Sequence, residues 1–166
     1  GAQNIQLEVT SEIKEEGGNW VATDTMKSPM GDAVDITVLA KDTLAPIKRS
    51  IKQGPVAIEL AYAGTKVTGK MAMGGQDRPI EADLGGALYA DGAGSSQSIA
   101  ALPLADGYTA VFLNLDLQKA KGKTMQLKVI GSESVTVPAG TFDSYKVEIS
   151  AADGPEKQTL WVAKSP

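Results

Sequence analysis

The side chains that most often carry chemistry are missing from this chain. Its 166 residues include no histidine and no cysteine. Without histidine, the commonest general base and metal ligand is gone and a Ser-His-Asp triad cannot be assembled. Without cysteine, neither a disulfide nor a thiolate metal site can form. Carboxylates remain. Asp77, Glu81, Asp83 and Asp91 fall near loops, but not at the spacing of a calcium-binding loop, so they read as solvated loop charges. Two carboxylates alone can hydrolyse a glycoside, but such a cleft also needs aromatic platforms. Only two Trp are present, and Trp20 and Trp161 read as core or sheet-edge residues. The glycine-rich stretches fit neither a dinucleotide fingerprint nor a phosphate loop, and there is no G-x-S-x-G elbow. The expectation is a protein that is not an enzyme, with no catalytic residues, metal site or cofactor.

What is left is an apolar surface with two polar exceptions. Met71 and Met73 share one face of a strand, and methionine adapts to irregular apolar partners. Tyr62, Leu88 and Phe112 complete a candidate lining for a lipid or another apolar small molecule, such as an acyl chain. Arg49 is the first exception, because it shares a face with Ile47 and Ile51. Glu133 is the second. If the alternation that starts at Met125 continues unbroken through Gly131, Glu133 points inward, where a charge is costly unless paired. A bulge at Gly131 would turn it outward. Both registers are open; in the first, Arg49 and Glu133 are inward handles able to pair.

The elements that must position these residues are strands. A length of 166 residues favours one domain, residues 1–166, large enough to bury roughly 70% of its unfolded surface. Strict alternation marks short runs at Ile5–Val9, Trp20–Met26, Val34–Val38, Pro46–Gln53, Val56–Tyr62, Val67–Met73 and Ile80–Leu84. Gly-Gly, Gly-Pro and Pro-Met-Gly turns separate them. The run Val34, Ile36, Val38 supplies the apolar face of the third strand, with Asp35 and Thr37 opposite. Residues 85–107 are rich in Gly and Ser, with one or two helical turns capped by Ser95 or Ser96 and stopped before Pro103. Tyr108–Leu117 is apolar on both faces and so is expected to be buried on both. The most patterned stretch is Ser134–Ile149, S-V-T-V-P-A-G-T-F-D-S-Y-K-V-E-I, two alternating runs around a Pro-Ala-Gly-Thr corner. A last strand covers Lys157–Ala163. The predicted fold is all-β: about eleven strands in one strongly curved antiparallel sheet, an open half-barrel with residues 85–107 across its mouth.

The segment G-S-E-S-V-T-V-P-A-G-T-F-D-S-Y-K-V, Gly131–Val147, followed by T-L-W-V-A at Thr159–Ala163, resembles the signature of a bacterial family of secreted domains of unknown function. That family is similar in architecture to the Lol-type lipoprotein carriers. The resemblance implies a curved sheet whose concave side binds acyl chains, no catalytic residues, and a further strand beyond Pro166. The motif itself reads as structural, with Gly140 at a positive φ and Phe142 plugging the end of the sheet. A net charge of −4 speaks against nucleic acid as a partner. No apolar run approaches the roughly 18 residues of a membrane-spanning helix. The start Gly1-Ala2-Gln3 reads as a mature chain after removal of a signal peptide, so a periplasmic or otherwise secreted location is expected, with an envelope protein as a further partner. The competing expectation is an accessory or interaction domain of a larger secreted protein, with a filled concave side and a functional strand edge.

Overall fold

The computed structural model describes residues 8–29 and 31–165. Ile5, Leu7 and Met30 lie outside them. Among the described residues the regular structure is almost entirely strand, with one short helix. Seven strands come first: β1 (Glu8–Glu16), β2 (Asn19–Lys27), β3 (Ala33–Ala40), β4 (Pro46–Gln53), β5 (Val56–Ala63), β6 (Lys66–Met73) and β7 (Gln76–Asp83). A short helix, α1 (Ser95–Ala100), interrupts the strands. Four more follow it: β8 (Thr109–Asp116), β9 (Lys121–Val137), β10 (Gly140–Ala151) and β11 (Lys157–Ala163). Eleven antiparallel strands are therefore present among the described residues. They form two ladders, β1 to β7 in sequence order and β11-β10-β9-β8, rather than one continuous sheet.

The division lies between β7 and β8, where residues 84–108 intervene. Their start stays with the first ladder, as the Leu84 N–H donates to Thr65 O at 2.7 Å. Leu88 then forms a parallel bridge with Leu113, and the Tyr89 N–H donates to Leu113 O at 3.1 Å. The outer edge of β8 is thus occupied by Leu88 and Tyr89 instead of β7. β9 presses on the start of the same segment, since a Cβ on Gly122 would lie 2.5 Å from Leu84 O.

The intervening segment contributes to every core cluster. Leu84 and Leu88 join Ile58, Leu60, Val67 and Leu115. Ala90 and Ile99 join Met125, Leu127, Val129, Val147 and Ile149. Ala93 joins Ala22 and Leu39. β8 is the wall between the first two clusters. Ala110 and Phe112 pack into one, Leu113 and Leu115 into the other, as its two apolar faces require. Val111 is the exception and is exposed.

One reading of local register changes, and one left open is decided. On β3 the inward residues are Asp35, Thr37 and Leu39, and Ile36 faces out, 37% exposed. The face is set by the pairing of Thr37 with Arg49, which puts hydrogen-bonding residues, not Val34, Ile36 and Val38, beside the guanidinium. Ile47 is the extra residue where the β3–β4 register slips between Lys48 and Pro46. On β9 the register slips as well: Lys146 pairs with Gly131 and Val147 with Val129, leaving Ile130 unpaired. Val129 is buried, Ile130 is exposed, and Glu133 faces solvent. The bulged register is the one the chain adopts. Gly140 has φ +138°, and Phe142 pairs with Val135. The tip of this hairpin extends past the core, with Val137 exposed. α1 is present, but its N-cap is Gly94 in the left-handed region, without a side-chain cap.

Candidate functional site

The inner face carries a buried polar knot built around Arg49. On β4, Arg49 donates from Nε to both Asp35 oxygens at 3.1 Å, and from Nη2 to Asp35 Oδ2 at 2.6 Å. Its Nη1 donates to Asp91 Oδ2 at 3.2 Å. Asp91 Oδ1 in turn accepts the Leu115 N–H of β8 at 3.0 Å. One guanidinium thus ties the large sheet to the intervening segment, and Asp91 ties that segment to the small sheet. The side chains are 14% (Arg49), 22% (Asp35) and 5% (Asp91) exposed. Asp91 was expected to be a solvated loop charge; it is the most buried carboxylate of the knot. Gly92 seats the segment, because a Cβ there would lie 2.6 Å from Thr37 Oγ1 and 2.7 Å from Arg49 Nε.

Burial and charge set the protonation of this knot. Burial pulls the Arg49 guanidinium down, but the hydrogen bond to Asp35 and the charges of Asp91 and Asp35 more than offset it, so Arg49 is held above its ordinary value. Burial pushes the Asp91 carboxyl up, against the pull of Arg49 and the Leu115 N–H. Burial, then the charge of Asp91, raises the Tyr62 phenol. The Tyr62 hydroxyl is buried without a hydrogen-bond partner of ordinary geometry among the described residues.

A cleft opens between the α1 segment and the small sheet. Its most enclosed part, about 200 Å³, is lined by Ile99, Phe112, Met125, Ile149 and Leu160 together with Ser95, Asn114 and Gln158. It shares Gly92 and Asn114 with a polar opening of about 420 Å³ that reaches Arg49, Asp91, Lys123 and Glu156. At the outer lip, Lys123 Nζ and Glu156 Oε2 pair at 2.6 Å. Residues of matching parity on β8, β9, β10 and β11 face one side there and pack with Ile99 of α1 into a buried core, so the surface left open in the cleft is mostly polar. Among the described residues no group of three or more acidic side chains is placed to hold a metal ion.

The candidate lining identified from sequence is split by the fold. Tyr62, Met71 and Leu88 pack in the core of the large sheet, filled there by Leu84, Leu88 and Leu115. Met73 sits at the end of β6, 55% exposed. Phe112 lies in the other core, edge-on to Tyr89 with ring centroids 6.3 Å apart, and is the member of the set that lines the cleft. Arg49 reaches the polar opening. Arg49 and Glu133 do not meet. Glu133 lies on the solvent face of the small sheet, where it accepts from Trp161 Nε1 and lies 3.7 Å from Lys146 Nζ. Three polar or aromatic members of the hairpin signature and the last strand therefore form one exposed surface cluster. Sequence reasoning missed Asp35 and Asp91 as partners of Arg49. The signal was the parity of Arg49 itself, since an inward guanidinium demands an inward anion.

A wider opening, about 630 Å³, lies on the outward face of the large sheet, across Ile36, Lys48, Glu59, Ala61 and Lys70. It is a shallow trough. A Cβ on Gly69 would lie 2.0 Å from Glu59 O, so β5 and β6 approach there as only glycine allows.

The family model described as "Protein of unknown function (DUF3108)" matches residues 3–166. No curated protein and no solved structure matches the chain.

Proposed function

Because the chain belongs to the DUF3108 family of proteins of unknown function, we propose its role from geometry: a non-enzymatic envelope protein, periplasmic or otherwise secreted, that takes an apolar ligand such as a lipid or lipoprotein acyl chain into the cleft beneath α1. The observation that supports this reading is the cleft itself, in which Phe112 and Leu160 stand beside Ser95, Asn114 and Gln158 above the buried core of the small sheet. Ligand sites combine an apolar lining with a few placed polar groups in this way. The resemblance of the Gly131–Val147 signature to proteins built like lipoprotein carriers points the same way. The binding place is not the inner face of the large sheet, because the protein's own leucines fill it.

The test is a methyl-labelled NMR titration with a twelve-carbon amphiphile below its micelle concentration. Shifts concentrated on Ile99, Met125 and Ile149 are expected. No shift at these methyls at saturating amphiphile rejects the reading.

A specific observation favours a second reading, that of an interaction module. Every residue of β1 is exposed, and among the described residues no strand pairs with its outer edge, the arrangement that strand addition by a partner uses. Under that reading, alternate β1 amides gain hydrogen-exchange protection when the partner binds, and the methyls of the cleft stay unmoved by amphiphiles.

A further inference from the structure

We infer that the outer edge of β1 receives an extended basic segment of another protein, one that alternates apolar residues with Lys or Arg; this rests on the interaction-module reading above. The edge runs the whole of Glu8–Glu16, and every residue along it is exposed. Among the described residues no strand pairs with it on that side. Such an edge offers a row of backbone N–H and C=O groups to an incoming strand. Edges are ordinarily guarded by proline, a bulge or several lysines. β1 has no proline, a single lysine and an unbroken register with β2.

The two faces of β1 specify the partner's alternation. Val9 lies opposite Met26, and Ile13 opposite Ala22, on the inner face. Ala22 is buried with Leu39 and Ala93, but that cluster stops at β2: Val9 is 51%, Ile13 37% and Met26 36% exposed. Apolar residues of an added strand would lie beside Val9 and Ile13 and extend the cluster by cross-strand contact. The outward face carries Glu8, Thr10, Glu12, Lys14 and Glu16. Its charge specifies the other half of the pattern. Lys14 pairs with Glu16 at 3.4 Å, and Lys41 with Glu15 at 2.6 Å. Among the described residues Glu8 and Glu12 have no ion-pair partner: Glu12 is opposite Thr23, and Lys27, opposite Glu8, is not within pairing distance. Cations on the outward face of an incoming strand make the pairs that the fold leaves open there. A second copy of this chain is the poorer fit. The register that overlaps two β1 strands completely, antiparallel, sets Glu12 against Glu12 and Glu8 against Glu16, and like charges directly opposite destabilise a ladder.

The experiment titrates the full chain with four end-blocked peptides of equal length, reading affinity by calorimetry and β1 amide protection by NMR hydrogen exchange. Three alternate valine with lysine, threonine or glutamate; the fourth has the composition of the first with its lysines and valines grouped in pairs. The alternating Lys-Val peptide is expected to bind about tenfold more tightly than the Thr-Val peptide, the scale of one charge-assisted contact. It should protect alternate β1 amides, and its advantage should shrink as salt rises. Glu12→Lys is expected to remove that advantage while leaving Thr-Val affinity unchanged. Glu12 is exposed, so the variant keeps the fold, which circular dichroism verifies. If the Thr-Val or Glu-Val peptide binds as well as Lys-Val and protects β1, the basic assignment is overturned and the edge stands as a docking site. Dimerisation of the free chain that protects the same amides gives the edge to a second copy and overturns the proposal. Equal affinity for the alternating and paired Lys-Val peptides, or no protection of β1 by any peptide, overturns the strand-addition reading itself.

Discussion

Arg49 serves two carboxylates with one guanidinium, and its neighbourhood makes the sharpest residue-level predictions. Arg49→Met leaves Asp35 and Asp91 buried without their cation, and the expected loss is about 3–5 kcal/mol in urea denaturation. Arg49→Lys should recover little, because an ammonium cannot span both carboxylates as the planar fork does. Asp91 predicts a pH dependence. Its carboxyl is raised in the folded chain, chiefly by burial, so the folded state binds that proton more readily than the unfolded state does. Asp91 therefore costs stability at neutral pH, and the cost is relieved as pH falls through its raised value toward the ordinary unfolded one, about 3.9. Asp83 and Asp116 work in the opposite sense. They are lowered first by the backbone N–H groups of Gly85 and Lys119 respectively, and their contribution is lost as pH falls. Comparison with Asp91→Asn isolates the first effect: the stability of the parent relative to the variant should rise between neutral pH and about pH 4. A fall over that range would contradict the assigned direction. Glu133→Gln should change stability by less than about 1 kcal/mol in the same assay, because Glu133 is half exposed and its pairing with Lys146 is a surface contact. Of this chemistry, only Arg49 was legible in the chain. Its inward parity could be counted, whereas Asp91 sits in a glycine-rich loop where no periodicity says which way a side chain faces.

At the scale of elements, alternation reads strands well and reads their inward face less well. β5 and β6 follow the rule, with Ile58, Leu60 and Val67 buried. β3 reverses it, because hydrogen bonding to Arg49 outweighs the burial of Ile36. The β9 bulge was an open alternative in the sequence; the paired strand decided it by placing Val147 opposite Val129. Close backbone approach was not legible at all, and two glycines depend on it. Gly69→Ala places a Cβ against Glu59 O and should destabilise by about 1–3 kcal/mol through forced displacement of β5 from β6. Gly92→Ala adds a strained positive φ of 79° to contact with Thr37 and Arg49. It should therefore loosen residues 90–99 selectively, seen as faster hydrogen exchange at Ser98 and Ala101, whose N–H groups bond Gly94 O and Gln97 O. If exchange rises equally across β9 and β10, the effect of Gly92 is global and the segment has no stability of its own.

For the whole molecule, strand content and single-chain antiparallel order were readable, and the split into two ladders was not. The split depends on where residues 84–108 lie, and that follows from tertiary contacts of Leu84, Leu88, Ala93 and Ile99, not from any local pattern. The connectivity also fixes a timetable. Within each ladder every strand pairs only with its neighbours in sequence, so hairpins can be added one at a time as a chain emerges from the ribosome or a translocation channel. The leucines that cover the large sheet come later in the chain than all seven of its strands. Until residue 88 has emerged, Ile58, Leu60 and Val67 wait uncovered on a paired but unroofed sheet, and Leu39 waits for Ala93. The nascent chain is most exposed to aggregation in that interval, and a holding chaperone acting on it would act there, before the second half of the protein exists.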